Sequence, residues 1–314
     1  MENNEIEKVE TYYIDETKLK KQPYTVYRIK IKGGRIYFTI DPDGTVTRYI
    51  SLTTLTKHTL PTSEALIKWQ CSLGYEAAKA YMNERANYGS CFHVALDEFL
   101  TKGEWNFNNA ETWIQMQVAK GVIKECNVEK YADELNKDVA AFAQFCVEYK
   151  VKPIAIELIL VSKDGYATLL DLVCKMTVKV DGLDHANPYK SGERKGLPRE
   201  VKVEKEITGL INFKSSKSGS FYEDQEIQLA FEQRLFEENY PEIKIDEVYN
   251  WSPKDYRGNT PTYNLKNQSD SLDAQKADAL LTIAKIELFK RTPRETFLEG
   301  KVKLGELPEV KETD

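Results

Sequence analysis

Apolar and polar residues alternate through the first fifty positions, and the alternation then gives way to a helical period. Tyr24, Val26, Arg28 and Lys30 precede the pair Gly33–Gly34; Ile36, Phe38 and Ile40 follow it, and Asp43–Gly44 offers a second turn. This predicts a small antiparallel meander over residues 10–50. The stretch SLTTLTKHTLP (51–61) breaks the pattern and leads to a helix begun by Pro61, Thr62 and Ser63, with Leu66, Trp69, Leu73 and Ala77 at helical spacing. Trp69 reads as a core residue of that helix rather than a base-stacking platform. Further helices are predicted over about 90–101 and 110–126. A fourth starts near Val128 with the stripe Tyr131, Leu135, Val139, Phe142 and Phe145, and ends before Pro153 because the residue ahead of a proline disfavours helix.

The period then becomes that of strands. IAIELILVS (154–162), the turn Asp164–Gly165 and YATLLDLVCKMTV (166–178) read as a strand pair. A charged stretch over 181–205 reads as an insertion or an extended hairpin, and ITGLINFKSS (207–216) is the next strand. A helix with Ile227, Phe231 and Leu235 on its buried face follows, then strands over 245–251 and 261–266, a helix over about 271–290 and an acidic tail. The order predicts an α/β fold with a central mixed β-sheet flanked by helices and an N-terminal β-meander extension. Residues 1–50 form the extension, and 51–314 form one domain with an insertion at about 179–206.

Composition narrows the function. No apolar run approaches the roughly 18 residues of a membrane span, and the opening MENNEIEKVE lacks a basic and then apolar signal. A cytoplasmic location with no membrane partner is therefore expected. The five cysteines are scattered without a CxxC pair, which predicts reduced, mostly buried thiols. With no cysteine after Cys174, no iron–sulfur cluster is expected. The net charge of −6 argues against binding nucleic acid over the whole surface but leaves a local basic groove open. His58 and His185 read as surface residues.

The candidate chemistry lies in polar residues that interrupt apolar strands. Asp171 stands inside TLLDLVCKM, and Lys214 follows GLINF. Strand alternation puts Leu210, Asn212 and Lys214 on one face and Ile211 and Phe213 on the other, with the second face forming core. A lysine or carboxylate buried alone is costly, so a polar cleft holding a cation accounts for both. Taken singly, an Asn-Phe-Lys triplet and a helical His93 are more often structural, whereas the strand Glu157 leans toward a role at the site. Together they are the materials of phosphodiester hydrolysis. Asp171 and residue 212 would hold Mg²⁺ or Mn²⁺ with help from the Phe213 carbonyl, and Lys214 would orient water or neutralise charge. His93 is a further candidate ligand, and imidazole favours Mn²⁺.

The series Gly89-x-x-x-His93, Glu157, Asp171, Asn212-x-Lys214 followed by Ser215, and Gln228 resembles the PD-(D/E)XK nuclease superfamily, specifically its RecB-like branch. SLTTL (51–55), LIKW (66–69) and the alanines near Ala77–Ala80 are similar to the front half of phage-type exonucleases and of the mitochondrial genome maintenance exonuclease. The resemblance covers roughly residues 50–250. It implies a restriction-endonuclease-like core and a Mg²⁺- or Mn²⁺-dependent DNA exonuclease acting on single-stranded or free ends in phage or mobile-element recombination or replication. If phage-encoded, such an enzyme would work in the bacterial host cytoplasm beside replication or recombination proteins. It also implies catalytic roles for Asp171, Asn212, Lys214 and Glu157, metal ligation by His93, Asp171, Asn212 and Phe213, and substrate contacts from Ser215, Lys217, Tyr222 and Gln228. Two positions depart from the pattern. Asn212 stands where the family has a metal-bridging aspartate, which suggests an inactivated, engineered variant. Glu232 stands where the tyrosine after Gln228 usually falls. The rival reading is a catalytically dead DNA-end binding protein with a nuclease fold.

Overall fold

The computed structural model describes residues 6–13, 15, 17–31, 34–216, 221–257, 260–269, 271–287, 297–298 and 310–311. The alternating N-terminal segment forms β1 (Ile6–Lys8), β2 (Tyr12–Tyr13), β3 (Val26–Ile31), β4 (Gly34–Ile40) and β5 (Val46–Ser51). Helices α1 (Leu52–Thr59), α2 (Glu64–Leu73), α3 (Tyr75–Lys102), α4 (Ala110–Ala119) and α5 (Val128–Glu148) follow. Then come β6 (Lys152–Val161), β7 (Tyr166–Asp184), β8 (Arg199–Phe213), α6 (Glu223–Asn239), β9 (Glu247–Arg257), β10 (Thr260–Asn267) and α7 (Ser271–Glu287). A short pair, β11 (Phe297–Leu298) and β12 (Val310–Lys311), stands apart from the main sheet.

The main sheet has ten strands in mixed orientation, in the order β1-β3-β4-β5-β7-β8-β9-β10, with β6 on β7 and β2 on β6. The N-terminal meander β3–β4–β5 is antiparallel and enters this sheet through β5, which runs parallel to β7 at Ile50↔Tyr166 and Ser51↔Ala167. β6 lies along one edge of β7, so β5 and β8 share the other edge. The pairing of β5 with β7 stops at Ala167, and that of β8 begins at Leu172. Residues 168–171 therefore lie where two neighbours part, and a fork of this kind opens a cleft at the sheet.

Helices cover both faces. One core joins α3, α4 and α5 to Ile156, Leu172, Cys174, Ile211, Phe213 and Trp251; the other joins α1, α6 and α7 to Leu158, Leu170, Leu210 and Val248. The Leu210 face of β8 is thus as buried as the Phe213 face, contrary to a one-sided reading of that strand. Phe142 of α5 anchors the first core, with ring centroids 5.1 Å from both Phe213 and Trp251, and Phe92 of α3 stacks on Trp251 at 6.1 Å.

Several elements differ from the sequence expectation for identifiable reasons. Residues 52–59 are already helical, because the Ser51 hydroxyl accepts the Thr54 N–H at 3.2 Å and Leu52 and Leu55 bury against the α6 side. Gly74, at φ +82°, ends α2, and a single 28-residue α3 replaces the shorter helix expected over 90–101. α4 stops at Ala119, where Lys120 N–H closes back onto the Met116 carbonyl. Residues 181–205 resolve toward the extended hairpin: β7 and β8 pair from Leu172↔Ile211 out to Asp184↔Arg199. Trp69 is not core. α2 buries no residue, and the Trp69 ring packs edge-on to Tyr81 at 5.7 Å on the α2–α3 arm. Among the described residues no helix is long and apolar enough to cross a membrane.

Phe142→Ala removes the ring that both Phe213 and Trp251 meet. It should lower unfolding free energy by about 3–5 kcal/mol, read from urea denaturation; a loss under about 1 kcal/mol would mean the cluster does not hold α5 to the sheet.

Candidate metal centre

Glu157 on β6 and Asp171 on β7 face each other, bracketed by the pairs Ile156↔Leu172 and Leu158↔Leu170. Side chains two residues apart on a regular strand share a face. Here they do not: Ile156 and Leu172 pack under α3 and α5, whereas Leu158 and Leu170 pack under α6. The alternation of both strands changes phase at this acidic row. Glu157 carries the distortion, with φ at +49°, a conformation that costs a non-glycine residue about 1–3 kcal/mol. Thr11 clamps it. Its hydroxyl donates to the Glu157 carbonyl at 3.0 Å and accepts the Ile159 N–H at 3.0 Å, just ahead of β2, which pairs with β6.

His93 reaches the row from α3. One turn earlier, a Cβ on Gly89 would lie 3.3 Å from Ser215 Oγ, so glycine lets α3 lie close to the end of β8. Arg85 fastens the same contact by donating to the Ser215 carbonyl at 3.2 Å. His93 Nδ1 is 3.5 Å from Asp171 Oδ1 and 4.0 Å from Glu157 Oε1. One ligand atom from each of His93, Glu157 and Asp171 lies within 4.8 Å of the others. The second Asp171 oxygen, Oδ2, accepts the Phe213 N–H at 2.5 Å, which fixes the carboxylate against the end of β8. The Phe213 ring lies tilted against the His93 ring, with centroids 6.2 Å apart.

The electrostatics are those of crowded acids. Burial holds His93 below its ordinary pKa, so the ring is neutral near pH 7 and keeps a lone pair for a metal. Burial, reinforced by the Asp171 charge, pushes Glu157 up to about 8. Asp97 is raised well above the usual carboxylate range by burial and then by Glu157 and Asp171. Glu232 is pushed up to about 8 by burial and then by Asp171. Asp97 Oδ1, Glu232 Oε2 and Asn212 Nδ2 are buried with no hydrogen-bond partner. Orphaned carboxyl oxygens beside a neutral imidazole fit a hard divalent cation, which would add the positive charge that the oxygens lack.

The remaining expected site residues fall around this group. Asn212 is buried one step beyond the Leu172↔Ile211 pair, beside Asp171, and pairs with Asn250 of β9. Lys214 Nζ donates to Gln228 Oε1 at 3.1 Å, and Gln228 Nε2 donates to Glu232 Oε1 at 2.6 Å. Gln228 thus holds the lysine. Ser215 lies against Gly89, Tyr222 is 56% exposed at the start of α6, and Lys217 lies outside the described residues. Sequence reasoning missed Asp97 altogether and gave Glu232 no role. Helical spacing puts Asp97 four residues after His93 and Glu232 four after Gln228, but does not show that either is buried. The sequence matches no model of a known protein family and no curated protein.

The raised Glu157 sets a sign for pH. Its folded-state value of about 8 exceeds the ordinary 4.5, so the folded protein holds a proton that the unfolded chain releases, and stability is lost as pH rises through that window. In metal-free protein, Glu157→Gln should raise the melting temperature, and the gain over wild type should widen between about pH 5 and pH 8. Parallel melting-temperature profiles for the two proteins would show that neither burial nor the Asp171 charge raises Glu157.

Proposed function

We propose that this chain is a divalent-metal-dependent deoxyribonuclease of RecB-like PD-(D/E)XK type, hydrolysing phosphodiester bonds at DNA ends. The observation that supports it most is the approach of His93, Glu157 and Asp171 to within 4.8 Å of one another, beside a lysine tethered by Gln228. His93, Glu157 and Asp171 would hold Mg²⁺ or Mn²⁺, with the Phe213 carbonyl and the Asn212 amide oxygen at its margin. The ion supplies Lewis acidity and a lowered pKa for bound water.

The chain's own residues do the rest. Lys214 presents a positive charge where negative charge develops on the phosphate, and Gln228 keeps its amine from swinging into solvent. His93 remains neutral because burial holds it below its ordinary pKa, and its ring rests against Phe213. Ser215, Lys217 and Tyr222 follow the lysine and would meet the DNA backbone. The substrate is DNA with a free end, single-stranded in our reading, met in phage or mobile-element replication or recombination.

Asn212 favours a second reading. An amide oxygen brings no charge to the ion, so the fold would bind DNA ends with its chemistry attenuated or lost. Asn212→Asp should raise Mn²⁺-dependent degradation of end-labelled oligonucleotides by ~10²-fold, and Asp171→Asn or Lys214→Ala in that background should abolish it. Tight binding of DNA ends with no cleavage by Asn212→Asp would select the binding protein instead.

A further inference from the structure

Asn212 brings no charge to the acidic row, where the family resemblance implies a carboxylate, and it faces a helix that carries an unexplained carboxyl group. By strand alternation Asn212 shares the Leu210 face of β8, and Leu210 packs in the same core as Ile227, Phe231 and Leu235 of α6. On that helix Glu232 is only 1% exposed. A glutamate in such a place is normally neutralised by an adjacent Lys or Arg, or replaced by an apolar residue. Glu232 makes no salt bridge among the described residues, and Lys214 reaches it only through Gln228. Oε1 accepts from Gln228, the residue that also holds Lys214, and Oε2 is buried with no donor. The charges that act on it are Asp171, Lys214 and Glu157, all members of the candidate centre. Asn212 shows the converse mismatch: its Nδ2 is a buried donor without an acceptor. An amide nitrogen on β8 and a carboxyl oxygen on α6 are thus both buried and unpaired.

We propose that Glu232 supplies from helix α6 the acidic oxygen that residue 212 lacks, so that Asn212 and Glu232 together replace one carboxylate of the metal centre. The proposal rests on the cation-binding reading of His93, Glu157 and Asp171. Glu232 is outside their 4.8 Å group and approaches from the Lys214 side. It therefore acts as a positioning residue, accepting a hydrogen bond from a water of the ion's hydration shell, which Mg²⁺ and Mn²⁺ sites commonly retain. On this account Asn212 does not empty the centre, and the chain as it stands binds metal.

The test is calorimetric titration of Mn²⁺ into the full chain and its variants, with circular dichroism melts as a check that each is folded. Wild type should bind, Glu232→Gln should bind about 10–100-fold more weakly, and Asn212→Asp combined with Glu232→Gln should recover toward wild type. That recovery is something a merely structural role for Glu232 would not produce. Unchanged affinity in Glu232→Gln overturns the proposal, as does failure of the folded double variant to recover. Binding by Asn212→Asp but not by wild type overturns it while leaving the cation reading intact. If neither binds, or if Asp171→Asn binds as wild type does, both readings fall together.

Discussion

Burial of several carboxyl groups in one cleft, sharpened by the charge of Asp171, is the constraint around which this molecule is arranged. Two like charges about 4 Å apart repel by about 4 kcal/mol at the effective dielectric of a protein edge, a large part of the ~5–15 kcal/mol that holds an ordinary domain together. Asp97, Glu157 and Glu232 respond in the same direction, each held above the ordinary carboxylate range, with burial first and the charge of Asp171 contributing to all three. His93 adds no positive charge at neutral pH, and Lys214 is bonded to Gln228 rather than to any acid. A fold optimised for stability alone would place leucines here. On the reading proposed above, a divalent cation held among these acids would offset that cost.

The rest of the architecture carries that cost and aims the groups. The aromatic cluster of Phe92, Phe142, Phe213 and Trp251 fixes α3 and α5 to β8 and β9. His93 follows Phe92 directly, so the packing that holds the core also sets the imidazole. At the acidic row the sheet forks between β5 and β8, and β6 and β7 change the phase of their alternation. The strained Glu157 backbone is clamped by Thr11, more than a hundred residues away in sequence. The N-terminal strands thus take part in shaping the centre.

Sequence patterning carried the architecture well where packing is periodic. The strand pair around Asp164–Gly165, the α5 stripe and the helix bearing Ile227 and Phe231 all followed from it, as did the mixed sheet. It failed where local chemistry competed with period. Threonines made 52–59 look irregular, although the Ser51 cap and buried leucines make it helical, and Trp69 looked like core on a helix that buries nothing. At the centre, Asp171, Glu157 and His93 were visible as interruptions of apolar runs or as a motif. Asp97 and Glu232 were not, because acidic residues on helices are common and only tertiary packing shows that these two are buried. The phase change at Glu157 was equally invisible, since both faces of β6 are apolar and either register reads the same. The β5–β8 fork depends on long-range pairing that no local window contains.

The central claim, that His93 and the acidic row form one metal centre, is tested most directly by pulsed electron paramagnetic resonance of Mn²⁺ bound to the full chain. The account predicts a single bound ion with a nitrogen coupling from one imidazole, and loss of that coupling in His93→Gln while the ion remains held by the carboxylates. A bound Mn²⁺ spectrum with no nitrogen coupling, or one that His93→Gln leaves unaltered, would contradict it.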